Sequence, residues 1–294
     1  MKNEPIRHHY IPQFILRNFC CNGNGIVQYY DKSTSKFSKQ NIRDVFMAKH
    51  LYRDEINTPE NPTQIENDLA DYEREIANLI KSKFLHENEI TLNLDEDQKL
   101  RLFFAIMSFR AERVKDYFKS LLCGADAKYY SVFQADGNFE DFWKRNLSKL
   151  VKCRSLQEAL EHSEIDEPIK TFMMRDTVGL FGMYFAVAER FESENFVIGD
   201  TYPEVVWGVN DYGHKLEIYS IYPISPERII LMVHNGAENT PRDILGFRPC
   251  VIAGPKINQD GTCRIRVKKM YNEEVCKINR LIIKDSSIGY ICKG

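Results

Sequence analysis

At 294 residues, with 43% hydrophobic and 28% charged side chains, the chain has the composition of a globular protein and is long enough to bury a sizeable core, which excludes a disordered polymer. Lys and Arg number 40 against 42 Asp and Glu, a formal net charge of −2, so bulk charge drives no attraction to nucleic acid or membrane and only a local patch remains open. No stretch approaches the roughly 20 apolar residues of a membrane span and the opening MKNEPIRHHY lacks a signal-peptide run, so a cytoplasmic protein with no membrane partner is expected.

The pattern predicts one α+β domain over 1–294 in three stretches: 1–60, 63–192 and 194–294. In the first, Pro12 opens a short helix carrying Phe14, Ile15, Leu16 and Phe19. After Gly23-Asn24-Gly25, Ile26 to Asp31 reads as a strand that turns back at Lys32 to Lys36, a hairpin. That apolar segment is expected to pack onto the central helices.

The second stretch reads as a helical bundle. Thr63 and Glu66 have the form of a capping box, followed by Leu69, Tyr72, Ile76, Leu79, Ile80 and Phe84 at helical spacing. A second helix opens near Asp95 with Gln98 at the reciprocal position, and Leu100, Phe103, Met107, Val114 and Phe118 share a face. Further helix is predicted over 139–162 and 168–192. From 194 the pattern turns to short strands, at 196–198, 205–209, 216–222 and 229–233, then a helix over 272–284 and a last strand at 290–292. An antiparallel β-rich portion packed on the helices is the expected arrangement. Eight cysteines without a C-x-x-C pair predict reduced thiols and no structural zinc.

Several polar residues break these patterns. His8 and His9 precede the first helix, and adjacent imidazoles on an extended chain point apart, so one of them is the candidate base or ligand and the other packs or orients. Arg110 falls among Phe103, Met107 and Val114, where a charge needs a carboxylate partner such as Asp200 or Glu66, or an anion. Asn279 sits among Val275, Ile278 and Ile282 and needs buried partners for its amide. Asp200 ends an apolar run ahead of Pro203, suited equally to a metal, a base or a turn. Arg264, Arg266, Lys268 and Lys269 form a modest basic strip that reads as a solvated face or a phosphate contact. No G-x-S-x-G, P-loop or G-x-G-x-x-G motif is present.

The run Arg7-His8-His9-Tyr10-Ile11-Pro12-Gln13-Phe14-Ile15-Leu16-Arg17-Asn18-Phe19 resembles the opening signature of the bacterial domain of unknown function 4238 family. The resemblance continues through Leu51-Tyr52, Glu66, Glu73, Arg110, Phe196-x-x-x-Asp200-x-x-Pro203, Tyr222-Pro223-Ile224-Ser225-Pro226, Lys277-Ile278-Asn279 and Tyr290, nearly the whole chain in order. Gly199 stands where the family usually has Ser. The resemblance implies a bacterial source and names no reaction. Together these residues define an expected site: His8, His9 and Asp200 as catalytic groups; Gln13, Arg17, Arg110 and Asn279 holding substrate; His9, Glu66 and Asp200 as ligands of Mg or Mn. That set suits a metal-dependent nuclease or phosphodiesterase acting on nucleic acid or a nucleotide, as in a toxin or phage-defence effector. The alternatives are a sensor module that binds a nucleotide or another anion without chemistry, and a structural ion-pair network.

Overall fold

The computed structural model describes residues 7–110, 139–174, 183–209, 215–234, 256–258 and 260–293. The first stretch holds β1 (Arg7–His9), α1 (Gln13–Arg17), β2 (Ile26–Asp31), β3 (Lys36–Asn41) and β4 (Met47–Lys49). Pro12 stands one residue before α1 as its N-cap. Strands β2 and β3 form the antiparallel hairpin, and β1 pairs antiparallel with β4, His9 opposite Met47. Ile11, Ile15, Leu16 and Phe19 are fully buried in the same core as Leu69, Ile76 and Phe103. The segment therefore does pack on the helices, as its apolar density requires.

Next come α2 (Gln64–Leu79), prolonged by a π-helical turn at Ile80–Phe84, then β5 (Glu89–Leu92), α3 (Leu94–Arg110), α4 (Phe139–Leu150), α5 (Leu156–Glu161) and α6 (Glu167–Met174). Two capping boxes read from the sequence do not form. Thr63 caps α2 without a side-chain bond to the helix and donates instead to Asn61 Oδ1 at 3.2 Å. In α3 the box is Asn93 with Glu96: Glu96 N–H donates to Asn93 Oδ1 (2.9 Å) and Asn93 N–H to Glu96 Oε2 (3.0 Å). Helix α3 is buried on every side from Leu100 to Arg110, so its apolar face is not a stripe. Val114 and Phe118 lie outside the described residues.

The third stretch supplies β6 (Met183–Arg190), β7 (Ile198–Gly199), β8 (Glu204–Val209), β9 (Lys215–Pro223), β10 (Arg228–His234), β11 (Lys256–Ile257), β12 (Cys263–Arg266), β13 (Lys268–Met270), α7 (Asn272–Asp285) and β14 (Gly289–Cys292). Strand β6 corrects the helix expected over 168–192, where α6 has ended by Met174. The run Met183 to Ala188 is apolar at successive positions because both faces of its strand are covered, and such a run hides the period of two.

The largest sheet has the order β13-β6-β10-β9-β8, antiparallel except where β13 joins β6 in parallel. Phe185, Val187, Tyr222, Ile230 and Met232 face the core shared with the helices. Ala186, Ala188, Ile221, Ile229, Leu231 and Val233 face the other way, onto Val275, Ile278 and Ile282 of α7. Alternation along each strand thus makes three layers, with α7 outermost. A second sheet, β3-β2-β14-β7, joins the N-terminal hairpin to the last strand. The protein is α+β, and no helix among the described residues is long and apolar enough to cross a membrane.

Candidate functional site

The site begins with the alternation of β1. His8 points inward, fully buried, where its Nδ1 accepts the Tyr52 N–H at 2.8 Å and its ring stacks on Tyr52 at 5.6 Å. His9 therefore faces the opposite way, and its two ring nitrogens have different partners. Nε2 meets the Ile42 carbonyl at 3.0 Å, which only an N–H satisfies, so Nδ1 carries the lone pair and accepts from Gln13 Nε2 at 3.2 Å. Burial, and secondly the charge of Arg110, hold its pKa below the ordinary histidine value despite the Ile42 bond. His9 is a neutral imidazole near pH 7.

Helix α2 supplies the facing wall. Glu66, Ala70, Glu73 and Ala77 recur at helical spacing, and Ala70 leaves space between the two carboxylates. With Gln13, Phe14 and Arg17 of α1 and with Arg110, they enclose a cavity of 320 Å³. Because Thr63 makes no capping box, the Glu66 carboxyl is available to this cavity. Burial first, and the Glu73 charge second, push its pKa up to about 7, with Arg110 opposing. Glu66 is then close to half protonated at neutral pH, in the same cavity as a neutral histidine. A carboxyl raised toward neutrality and a neutral imidazole supply a proton donor and a proton acceptor at the same pH.

Arg110 reaches the cavity from the end of α3 with 1% of its side chain exposed. Its Nη1 donates to Glu73 Oε1 at 2.7 Å, while its Nε and Nη2 are buried without a hydrogen-bond partner among the described residues. Leaving buried donors of a charged group unmet costs about 1–3 kcal/mol. A guanidinium edge with two unmet N–H groups has the geometry that pairs with phosphate or carboxylate oxygens.

The fold brings His9, Gln13, Arg17, Glu66 and Arg110 to one cavity and leaves three expected members elsewhere. His8 is spent on Tyr52. Asp200 does not line the cavity: its Oδ1 accepts from Ser287 N–H at 2.9 Å and its Oδ2 from Ile288 N–H at 2.7 Å, securing the turn between α7 and β14. Gly199 before it is required by close approach, since a Cβ there would lie 2.1 Å from Ser286 Oγ, which explains why a serine does not occupy this position. Asn279 accepts Val197 N–H at 3.1 Å and donates to the Asn195 carbonyl at 2.8 Å, pinning the lead-in to β7. The partner of Arg110 is Glu73 rather than Asp200 or Glu66; the sequence named Glu73 only among the residues of the family resemblance. Among the described residues no three His, Cys, Asp or Glu side chains are grouped to hold a metal ion, so the set His9, Glu66 and Asp200 is not assembled. Three residues of the basic strip are ion-paired: Arg264 meets Glu89 (3.4 Å), Lys268 meets Glu274 (2.7 Å) and Lys269 meets Glu189.

Comparison with known proteins adds one finding. The family model described as "Protein of unknown function (DUF4238)" matches residues 7–292, which takes in every residue of the cavity. No curated protein and no solved structure matches the chain.

Proposed function

Since the chain belongs to the DUF4238 family, whose description carries no activity, we propose a function from the site alone: the cavity binds a phosphate group on Arg110 and hydrolyses a phosphodiester, as a nuclease or phosphodiesterase does. The observation that carries this reading is the pair of unmet donors on a fully buried arginine that lines an open cavity. In the reaction His9 Nδ1, once Gln13 releases it, takes a proton from the attacking water as its oxygen bonds to phosphorus. The P–O bond to the leaving alkoxide breaks, and Glu66 in its protonated form gives that oxygen a proton. Arg110 stabilises charge on the non-bridging oxygens, the role for which a planar fork is suited. Opposite protonation states at the same pH suit this division of labour.

The test is incubation of purified protein with labelled DNA, RNA and thymidine 5′-p-nitrophenyl phosphate, in chelator and with added Mg or Mn. The expected result is turnover in chelator with a bell-shaped pH profile, lost in Arg110→Lys, His9→Gln and Glu66→Gln. Turnover only with Mg or Mn recasts His9 and Glu66 as ligands of that ion. The bond between Gln13 and His9 Nδ1 favours one other reading, in which the histidine stays engaged and the site senses a nucleotide or anion without chemistry. Tight binding of an unaltered nucleotide with no turnover selects that reading.

A further inference from the structure

The cavity has a neighbour that hydrolysis at Arg110 leaves unused. Gln13 and Arg17 also wall a second hollow of 490 Å³, completed by Asn24, Gly25, Asn41 and Arg43 among others. Its chemistry differs from that of the first. The first cavity has Glu66 and Glu73 in its wall, whereas among the described residues no carboxylate lines the second. Arg17 and Arg43 are exposed and neither forms an ion pair among the described residues. Asn24 Oδ1 accepts the Ile26 N–H and Asn41 Oδ1 the Arg43 N–H, each at 3.0 Å, so the NH₂ groups are what these amides offer a ligand. Gly25, at φ +76°, has no side chain to bar approach to the backbone beside them. Cations and amide donors without an acid make a hollow selective for an anion.

Two anion-binding hollows with Arg17 as their common wall suit a ligand bearing successive phosphates. The first is too small to hold two nucleotides, its 320 Å³ lying at the lower end of ligand pockets. A duplex is a stiff rod and does not fold around one side chain into both, whereas a single strand does. We propose that the substrate is single-stranded nucleic acid, two nucleotides or longer, with the scissile phosphate on Arg110 and the adjacent phosphate held by Arg17 and Arg43. This rests on the phosphodiester reading above and adds the substrate class to it.

The experiment is competition binding against fluorescein-labelled oligothymidylate with phosphorothioate linkages, which resist cleavage. The competitors are thymidine 5′-phosphate, the 5′-phosphorylated dinucleotide and a hairpin duplex, the last two likewise with phosphorothioate linkages, on wild type and Arg43→Gln. Arg43 is exposed, so its substitution leaves folding intact. The dinucleotide is expected to bind about tenfold more tightly than the mononucleotide, by one added charge-assisted contact. Arg43→Gln should weaken the dinucleotide about tenfold more than the mononucleotide. The slope of log affinity against log salt should be steeper for the dinucleotide by roughly 0.7. Equal affinities for the two, equal losses in the variant, or tighter binding of the duplex would each overturn the proposal while leaving phosphodiester chemistry at Arg110 standing. A wild type that binds neither thymidine ligand overturns that chemistry and the second subsite together.

Discussion

Arg101 and Arg110 lie nine positions apart on α3 and are equally buried, each 2% exposed, yet their surroundings differ in kind. Arg101 Nε donates to Asp97 at 2.7 Å, its Nη1 to the Met183 carbonyl at 2.7 Å, and its guanidinium lies 4.7 Å from the centre of the Phe185 ring. It bolts α3 to β6. Arg110 donates to Glu73 and lines a cavity, and its Nε and Nη2 are buried without a hydrogen-bond partner among the described residues. Burial of an arginine therefore does not by itself mark a functional site; what distinguishes the two is the state of their donors.

The largest effect should separate the pair by stability. Arg101→Met leaves Asp97 buried without its partner and is expected to lower unfolding free energy by about 4 kcal/mol, read by chemical denaturation. The protein that remains folded should still melt at higher temperature when phosphate is added. Loss of that phosphate response in Arg101→Met would erase the distinction. Arg110→Met comes next, at about 3 kcal/mol, less because Glu73, one-fifth exposed, escapes part of the cost by taking up a proton. Here phosphate should no longer raise the melting temperature, and a variant that kept the response would remove Arg110 as the anchor.

Glu66 sharpens the contrast through pH. Its folded-state pKa of about 7 lies above the unfolded value, so folding takes up protons. The stabilisation is complete below about pH 4.5 and is lost as pH rises through 7. Glu66→Gln keeps a neutral side chain at every pH and should match the wild type near pH 4.5 but exceed it by about 2 kcal/mol at pH 8, after allowance for partial solvent access. Parallel stability curves for the two proteins would show that the carboxyl is ordinary. The smallest change is expected for Asp200→Ala, which removes acceptors for the Ser287 and Ile288 N–H groups at an exposed turn. Roughly 1–2 kcal/mol of stability should go, with phosphate binding normal; a loss of binding would return Asp200 to the site.

The sequence by itself determined the local elements whose signals are local. The helix after Pro12, the β2–β3 hairpin, α2, α7 and the last strand follow from turn residues and from periods of two or 3.6. It also identified His9 and Arg110 as polar residues out of place, while Gln13, Arg17 and Glu66 entered through the resemblance to the family signature. Only the tertiary structure decided what those residues meet. Glu73 faces Arg110 because α2 and α3 pack side by side, and no sequence spacing encodes an interhelical contact. Asp200 and Asn279, which break pattern just as conspicuously, satisfy backbone groups around β7, α7 and β14. Strand β6 escaped detection because burial on both faces erases the alternation that identifies a strand. A pattern break announces that a polar group needs a partner; whether that partner is backbone, carboxylate or ligand depends on which donors remain unmet once distant segments have packed, and that is a property of the fold.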